Sequence, residues 1–385
     1  MNYKNQILTV LDDGTIITVE CHTANSLPDI TIVGFTNRAV TEARERIRAA
    51  LSNSNIRLPR KRIIINLAPA DIPKQGSSFD FAILLSILSR TNTAIVNVPD
   101  HTVVIGEIGL DGSIRPIRGI IGKILAAQRA GIKNVWVPSA NLAQAELIPN
   151  IKAYGFTSVE QLLSLMKTGR TPEQHQTTQR KAPNEGMCLN PFKGIAGQER
   201  AKRALLIAAA GRHNCMLIGP PGTGKSLLAR SLVNLMPAPT TTEILESTHI
   251  YSLSSTNFDR VLNERQVRAP HHNAPTQFIV GGGRYGKPGE ISLAHNGVLI
   301  FDEFPEFSRQ TLEALRQPIE SHSITTPTIN QSIELPADFV FVGTANPCPA
   351  GLWAQQLLRV SVKQAITDGI SASSQGLFWI ESIYL

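Results

Sequence analysis

Short segments with strand-like and helix-like spacing of apolar residues alternate over the first 168 residues of the chain. β-Branched and other apolar residues form short runs that predict strands at 29–34, 61–68, 102–108 and 134–138. Apolar residues recur at helical spacing in three further segments, which predict helices at 37–51, 79–88 and 119–130. The turn Asp111-Gly112, followed by the run 113–117, predicts a hairpin. This alternation indicates an α/β or α+β domain without a phosphate-binding loop of its own.

The pattern changes between residues 167 and 185, where the chain is polar and has almost no large apolar side chains. Such a segment cannot offset its ordering entropy by burial and is typical of a linker. We therefore expect a first domain at 1–168, a polar linker at 169–189 and a second domain at 190–351.

The second domain begins with a predicted helix at 198–210 and a predicted strand at 215–218. The loop Gly219-Pro220-Pro221-Gly222-Thr223-Gly224-Lys225-Ser226 follows at once, and a helix is predicted at 226–236. Its glycines allow a tight turn in which backbone N–H groups point at phosphate oxygens. Lys225 is expected to neutralise the β- and γ-phosphates, and the Ser226 hydroxyl is expected to bind Mg²⁺. The loop, between a strand and a helix, therefore predicts binding of ATP with Mg²⁺.

Two further apolar runs end in polar residues suited to phosphate chemistry. The run 297–301 is followed by Asp302 and Glu303. Asp302 is expected to hold Mg²⁺ and Glu303 to accept a proton from the attacking water. The run 338–345 is followed by Asn346, which is expected to orient this water or to contact the γ-phosphate.

The composition indicates what kind of protein this is and where in the cell it is expected. The chain has 385 residues, of which 42% are hydrophobic and 17% charged, as in folded proteins with two or three domains. The net charge of +7 fits either ordinary surface lysine and arginine or a polyanionic partner such as nucleic acid. The four cysteines lack metal-ligand spacing, and we find neither a signal sequence nor an apolar run of about 20 residues. We therefore expect a reduced, cytoplasmic location and no membrane segment.

The three strand ends resemble the Walker A, Walker B and sensor 1 elements of AAA+ ATPases. More specific resemblance to the bacterial YifB/ComM family, in the magnesium-chelatase-like branch, lies in 192–199 (Phe-Lys-Gly-Ile-Ala-Gly-Gln-Glu), 270–272 (Pro-His-His), 281–283 (Gly-Gly-Gly), 288–297 (Pro-Gly-Glu-Ile-Ser-Leu-Ala-His-Asn-Gly) and 346–349 (Asn-Pro-Cys-Pro). In the first domain, 66–71 (Asn-Leu-Ala-Pro-Ala-Asp) and 106–112 (Gly-Glu-Ile-Gly-Leu-Asp-Gly) are similar to the same family.

This resemblance implies an N-terminal Lon-protease-like α+β domain, of the ribosomal S5 domain 2-like type, and a C-terminal AAA+ P-loop NTPase domain. It also implies a homo-hexameric ATP-driven helicase that acts on single-stranded or branched DNA and promotes branch migration in natural transformation and recombination. An alternative is a magnesium-chelatase subunit, against which the Lon-like domain argues.

Three pairs of residues carry weaker hypotheses. Arg284 and Lys287 lie in a glycine-rich stretch and are either DNA contacts or ordinary loop charges. His271 and His272 have no third metal ligand at usable spacing, so a structural or inter-subunit role is expected. Ser78 and Lys123 fall near the places of the Lon serine–lysine dyad, but Phe79 and Asp80 replace the small residues expected after the serine, which argues against protease activity.

After Gly351 the resemblance to the family stops. Codons for residues 374–384, read from their third base, permit Ser-Gly-Pro-Phe-Leu-Asp-Arg-Ile-Asp-Leu, a family-like segment, and the aspartate is forced by Trp379 and Ile380. We therefore expect a frameshift near codon 352 and an out-of-frame tail at 352–385. The lid, the arginine finger and the sensor 2 arginine are then absent, which leaves open an inactive product that binds nucleotide at most.

Overall fold

The structure is a computed structural model of the 385-residue chain. It describes residues 6–11, 13–34, 38–54, 56, 58–72, 74, 76–91, 98–168, 191–254, 259–283, 286–327, 332–346 and 381–384. The chain divides into two compact units. The first comprises Met1–Arg180 and Ser252–Val261, and the second comprises Lys181–Tyr251 and Leu262–Leu385.

The first unit mixes strands and helices. Its strands are β1 (Gln6–Val10), β2 (Ile16–Ala24), β3 (Asp29–Val33), β4 (Arg62–Ala68), β5 (Thr102–Val104), β6 (Glu107–Ile108), β7 (Ile114–Arg115), β8 (Asn134–Pro138) and β9 (Lys152–Phe156). Its helices are α1 (Arg38–Asn53), α2 (Asp80–Arg90), α3 (Ile120–Arg129), α4 (Ser139–Ala145) and α5 (Val159–Thr168).

Seven of these strands form one mixed sheet in the order β3-β4-β2-β1-β5-β8-β9. The pairs β1–β2 and β2–β4 are antiparallel, and the other neighbours are parallel. The predicted single strand at 102–108 is wrong, because β5 lies in the sheet whereas β6 pairs with β7 in a separate hairpin. Both halves of the run are apolar and largely buried, so the apolar pattern could not reveal the break.

The core of this unit forms around α2, which is buried from Asp80 to Leu88. Phe156 contacts two aromatic rings there, with centroid distances of 5.5 Å to Phe81 and 4.9 Å to Trp136. Asp80 is fully buried, and Arg46 donates to its two carboxylate oxygens at 2.7 and 3.0 Å. Burial raises the pKa of the Asp80 carboxyl to about 6 in spite of this ion pair.

The second unit contains strands β10 (Cys215–Ile218), β11 (Val267–Arg268), β12 (Gly281–Gly282), β13 (Lys287–Pro288), β14 (Val298–Phe301), β15 (Ser323–Pro327), β16 (Ser332–Pro336), β17 (Val340–Ala345) and β18 (Glu381–Tyr384). Its helices are α6 (Glu199–Gly211), α7 (Lys225–Ser231), α8 (Thr241–Ser252), α9 (Thr276–Val280), α10 (Glu290–Leu293), α11 (Arg309–Ala314) and α12 (Arg316–Ser321). This unit also contains the 3₁₀ turns Leu232–Leu235 and Phe304–Glu306.

Five strands of this unit form a parallel sheet in the order β11-β14-β17-β10-β18. Strands β10, β14 and β17 are almost completely buried apolar runs, as expected for a parallel sheet. Since neighbouring parallel strands end at the same edge, the segments that follow these three strands are brought together there. The α-helix after β10 is shorter than the predicted 226–236, because it ends at Ser231 and continues as the 3₁₀ turn.

Within the described residues, no helix has the length and apolar character needed to cross a membrane.

Candidate functional site

The loop 219–226 connects the central strand β10 to α7, where sequence analysis predicts a phosphate cradle. Gly222 and Gly224 have φ angles of +79° and +83°, which residues other than glycine rarely adopt. A Cβ placed on either glycine meets no other atom within 4 Å, so the backbone of the loop faces open space. The loop is tied to its surroundings because Gly219 N–H donates to the Ala345 carbonyl and Gln198 donates to the Thr223 carbonyl.

Lys225 reaches across this loop. Its Nζ donates to the carbonyls of Gly219 and Pro220, both at 2.7 Å, and to Asn346 Oδ1 at 3.0 Å. Burial lowers the pKa of the Lys225 ammonium, while Asp302 and Glu303 act in the opposite direction. The structure thus brings together the predicted lysine of the loop and the predicted amide at the end of β17.

Ser226 and Asp302 meet at the same edge of the sheet. The Ser226 hydroxyl lies 2.9 and 3.0 Å from the two oxygens of the Asp302 carboxylate. Hydroxyl and carboxylate oxygens are the hard donors that Mg²⁺ prefers, and Mg²⁺ commonly takes one or two carboxylates with the remaining ligands from phosphates and water. The donor set therefore fits the predicted ion. Elsewhere in the described part of the chain, histidine, cysteine and carboxylate side chains form no cluster of three suited to a metal.

Thr344 is a member of this site that sequence analysis missed. Its side chain is buried, and its hydroxyl donates to Asp302 Oδ1 at 2.5 Å. The hydroxyl oxygen of Thr344 also accepts from the backbone N–H of Glu303 at 3.0 Å. Thr344 lies two residues before Asn346, and side chains two residues apart in a strand point to the same face of the sheet. This spacing is the signal in the sequence that could have revealed Thr344.

Glu303 follows Asp302 with left-handed backbone, at φ +57°. Its side chain is 55% exposed, and its Oε2 lies 3.6 Å from His272 Nδ1. His272 follows β11, which pairs with β14, so the histidine and the two acidic residues follow neighbouring strands. The structure therefore places the predicted general base beside a histidine to which sequence analysis gave no chemical role.

Two other predicted pairs have different outcomes. The structure brings Ser78 and Lys123 together, with 3.4 Å between Oγ and Nζ, and both side chains are buried. Lys123 also donates to the carbonyl of Val10. Lys287 is exposed in β13, whereas Arg284 lies outside the described residues.

Comparison with known proteins identifies the family. Residues 191–372 match the family model described as magnesium chelatase, subunit ChlI, and residues 19–141 match the model for subunit ChlI of Mg-chelatase. The chain is 40% identical over 353 residues to competence protein ComM of Haemophilus influenzae, covering 91% of this chain and 69% of that protein. It is 38% identical over 354 residues to the uncharacterized protein YifB of Escherichia coli, with the same coverage of both chains.

The chain belongs to the ComM/YifB family. Its members are homologous to magnesium-chelatase-like AAA+ ATPases. The parallel sheet and the phosphate loop of the second unit agree with this homology. The chain also has Lon-like homology: a Lon protease of Methanosphaera stadtmanae is 35% identical over 107 residues, which is 28% of this chain and 12% of that protein. The predicted fold, a Lon-protease-like domain followed by an AAA+ domain, is thus confirmed.

Proposed function

We propose that this ComM/YifB-family protein hydrolyses ATP and uses the reaction to move along or remodel DNA. The observation that supports hydrolysis is the convergence of three adjacent strand ends, carrying Lys225 and Ser226, Asp302 and Glu303, and Thr344 and Asn346. Phosphoryl transfer to water needs charge neutralisation, a held metal ion and an oriented water, and each of these tasks has a side chain of suitable chemistry here.

Each residue then has a role. Lys225 binds the β- and γ-phosphates, and the N–H groups of the loop 219–226 bind the remaining phosphate oxygens. Ser226 and Asp302 hold Mg²⁺, which when bound neutralises charge on the phosphates. Glu303 accepts a proton from the attacking water, and Asn346 orients that water.

Action on DNA rests on other observations. The relative from Haemophilus is named a competence protein. The net charge of +7 suits a polyanionic partner, and Lys287 is exposed beside the glycines of β12. We propose single-stranded or branched DNA as the partner, and a homo-hexameric ring as the assembly in which ATP sites are shared between neighbouring subunits.

An ATPase assay with and without single-stranded DNA tests this proposal. We expect turnover that DNA stimulates and that Glu303→Gln lowers by about 10²–10⁴-fold, as for loss of a general base. Glu303→Gln should still bind a fluorescent ATP analogue, whereas Lys225→Ala should not. Turnover that DNA leaves unchanged would argue against the DNA motor, and equal turnover in wild type and Glu303→Gln would overturn the assignment of the base.

A magnesium-chelatase subunit is the second candidate, because both family models carry that description. The identity to ComM and YifB along 91% of the chain favours the first candidate. Stimulation of ATP turnover by a porphyrin and its partner subunits, with no response to DNA, would reverse this preference.

A third candidate is a product that binds nucleotide without turning it over, based on the proposed frameshift near codon 352. Within the segment 352–385 the structure describes β18, which pairs in parallel with β10 from Cys215 to Ile218. Sequencing the gene through this region tests the frameshift. A family-like continuation in the shifted frame supports it, and an unrelated continuation removes it.

A further inference from the structure

The side chain of Glu303 has an unusual neighbour for a general base. His272 Nδ1 lies 3.6 Å from Glu303 Oε2, and the His272 side chain is 24% exposed. Hydrogen bonds at catalytic carboxylates are often long before the substrate is bound and shorten in the reacting complex. The Glu303 side chain is 55% exposed, so it has freedom to rotate toward the ring.

The imidazole of His272 is held in place by aromatic rings. It lies against the His271 ring with a centroid distance of 4.2 Å and a tilt of 36° between the ring planes. It meets Phe307 in an edge-to-face arrangement, with a centroid distance of 6.4 Å and 80° between the planes. Phe307 is in turn stacked on Phe301 at 4.0 Å. Since Phe301 is the last residue of β14 and Asp302 and Glu303 follow it, the same aromatic group fixes the histidine relative to both acidic residues.

The Nδ1 atoms of the two adjacent histidines face partners of different kinds, a hydrogen-bond donor at His271 and an acceptor at His272. His271 Nδ1 accepts from the backbone N–H of Asn273 at 3.2 Å, so in its neutral form the proton of His271 is on Nε2. His272 Nδ1 faces a carboxylate, and an ionised carboxylate only accepts hydrogen bonds. A neutral His272 ring that donates to this carboxylate has its proton on Nδ1.

We propose that His272 is a positioning residue that orients the Glu303 carboxylate toward the attacking water. The proposal rests on the proposed ATPase function and adds a residue to it. A carboxylate that is 55% exposed and lies on an irregular turn has several side-chain rotamers, and a donor fixed at one of its oxygens selects among them. His272 thus acts through Glu303 and makes no contact with nucleotide itself.

Steady-state and single-turnover kinetics separate this role from a structural one. We expect His272→Ala to lower kcat by about 10–100-fold with little change in nucleotide affinity, since misplacement of a catalytic group has effects of this size. His272→Asn, whose amide can donate from the position of Nδ1, should recover much of the rate. His271→Phe, which keeps an aromatic ring against His272, is the matched control and should stay within about twofold of wild type.

A double-mutant cycle tests whether His272 acts through Glu303. In the Glu303→Gln background, His272→Ala should have no further effect on the residual rate, because the base that it orients has been removed. Multiplicative effects of the two substitutions, or an equal rate in His272→Ala and wild type, would overturn the proposal.

Nitrogen NMR of the histidine rings gives a readout that does not depend on hydrolysis. At about pH 8.5, where histidine side chains in general are neutral, we expect the Nδ1–H tautomer at His272 and the Nε2–H tautomer at His271, with and without Mg²⁺ and a non-hydrolysable ATP analogue. In Glu303→Ala, His272 should revert to Nε2–H. An Nε2–H tautomer at His272 in wild type overturns the pairing, whereas the expected tautomers in a protein without turnover overturn the proposed function and leave the pairing intact.

Discussion

Thr344 joins the two acidic residues of the candidate site through a single hydroxyl group. It donates to the Asp302 carboxylate and accepts from the Glu303 N–H, and its side chain is 1% exposed. Thr344→Val keeps the shape but leaves the Glu303 N–H without this acceptor and Asp302 without this donor. We expect kcat to fall by about tenfold, since small misplacements of catalytic groups have effects of at least this size.

Thr344→Ser is the matched control for this prediction. It restores the hydroxyl at the cost of one buried methyl group, about 1 kcal/mol of folding stability. Its kcat should therefore lie close to that of wild type, although its melting temperature is lower. Equal rates in the valine and serine variants would contradict the role given to the hydroxyl.

The residues of the site differ in how far sequence alone could reveal them. Lys225 and Ser226 follow from the spacing of the loop, and Asp302 and Asn346 from their positions at the ends of apolar runs. The contacts of Thr344 and His272 with the acidic residues could not be found in this way, because they depend on which strands are neighbours and on the direction of each side chain. Nothing in the sequence near Pro270 indicates that β11 ends beside β14.

Directly before β14, the backbone at Gly297 has no room for a side chain. A Cβ on Gly297 would lie 2.1 Å from the Gln266 carbonyl oxygen, which accepts the hydrogen bond from Val298 N–H. Because this neighbour is backbone, Gly297→Ala must shift β14 away from β11. We expect a loss of about 2–3 kcal/mol in the free energy of unfolding, in the range of overpacked sites, measured by urea denaturation.

Gly343 in β17 provides a contrast with Gly297. A Cβ there would lie 2.6 Å from Met216 Sδ and 2.7 Å from its methyl carbon, which are at the flexible end of a side chain. Gly343→Ala should therefore cost less than Gly297→Ala. The reverse order would mean that the strand pair β11–β14 is less constrained than its geometry indicates.

His295 links α10 to the segment before β17, and this contact depends on pH. Its Nδ1 accepts from Asp338 N–H at 3.0 Å, and its Nε2 lies 3.3 Å from Glu246. Burial lowers the pKa of the His295 imidazole, although Glu246 and Asp338 oppose this effect. The unfolded chain therefore takes up a proton at higher pH than the folded one, so stability is lost as the pH falls below the ordinary histidine pKa of about 6.5.

His295→Asn keeps an acceptor near the position of Nδ1 but does not titrate. Between about pH 7.5 and 5.5, wild type should lose more stability than this variant in thermal melts followed by circular dichroism. A parallel loss in both proteins would show that the acid sensitivity of the fold comes from other groups.

The elements that sequence predicts well are those in which one pattern dominates. The runs 134–138 and 215–218 coincide with β8 and β10, because both strands are short, apolar and buried. Strands β2 and β9 were not predicted, because they mix polar, small and charged residues and are only partly buried. Their strand character comes from pairing with neighbours in the sheet, which is a tertiary effect that overrides local preference.

For the whole molecule, the net charge of +7 leads to a prediction about salt. If DNA is the partner, its affinity should fall steeply between about 50 and 200 mM salt, because binding releases counterions from the phosphates. Fluorescence anisotropy with a labelled single-stranded oligonucleotide measures this slope. Lys287→Ala should weaken binding for all sequences and reduce the logarithmic slope by roughly one unit if it contacts a phosphate.

The control for this experiment is an exposed lysine of the second unit outside the glycine-rich stretch, such as Lys193. Lys193→Ala should leave the salt slope unchanged. Affinity that does not respond to salt would contradict an electrostatic interface, and identical slopes for the two lysine variants would remove Lys287 from it.

The left-handed backbone at Glu303 has a consequence for how this protein can be improved or evolve. A long side chain at φ +57° carries a conformational strain of about 1–2 kcal/mol that glycine, and in part asparagine, relieves. Selection for thermal resistance alone would therefore favour replacing Glu303, whereas selection for turnover retains it. With Glu303 as the proposed general base, stability and activity are expected to conflict at this position, and a thermostable library screened without an activity assay would accumulate folded proteins that lack this residue.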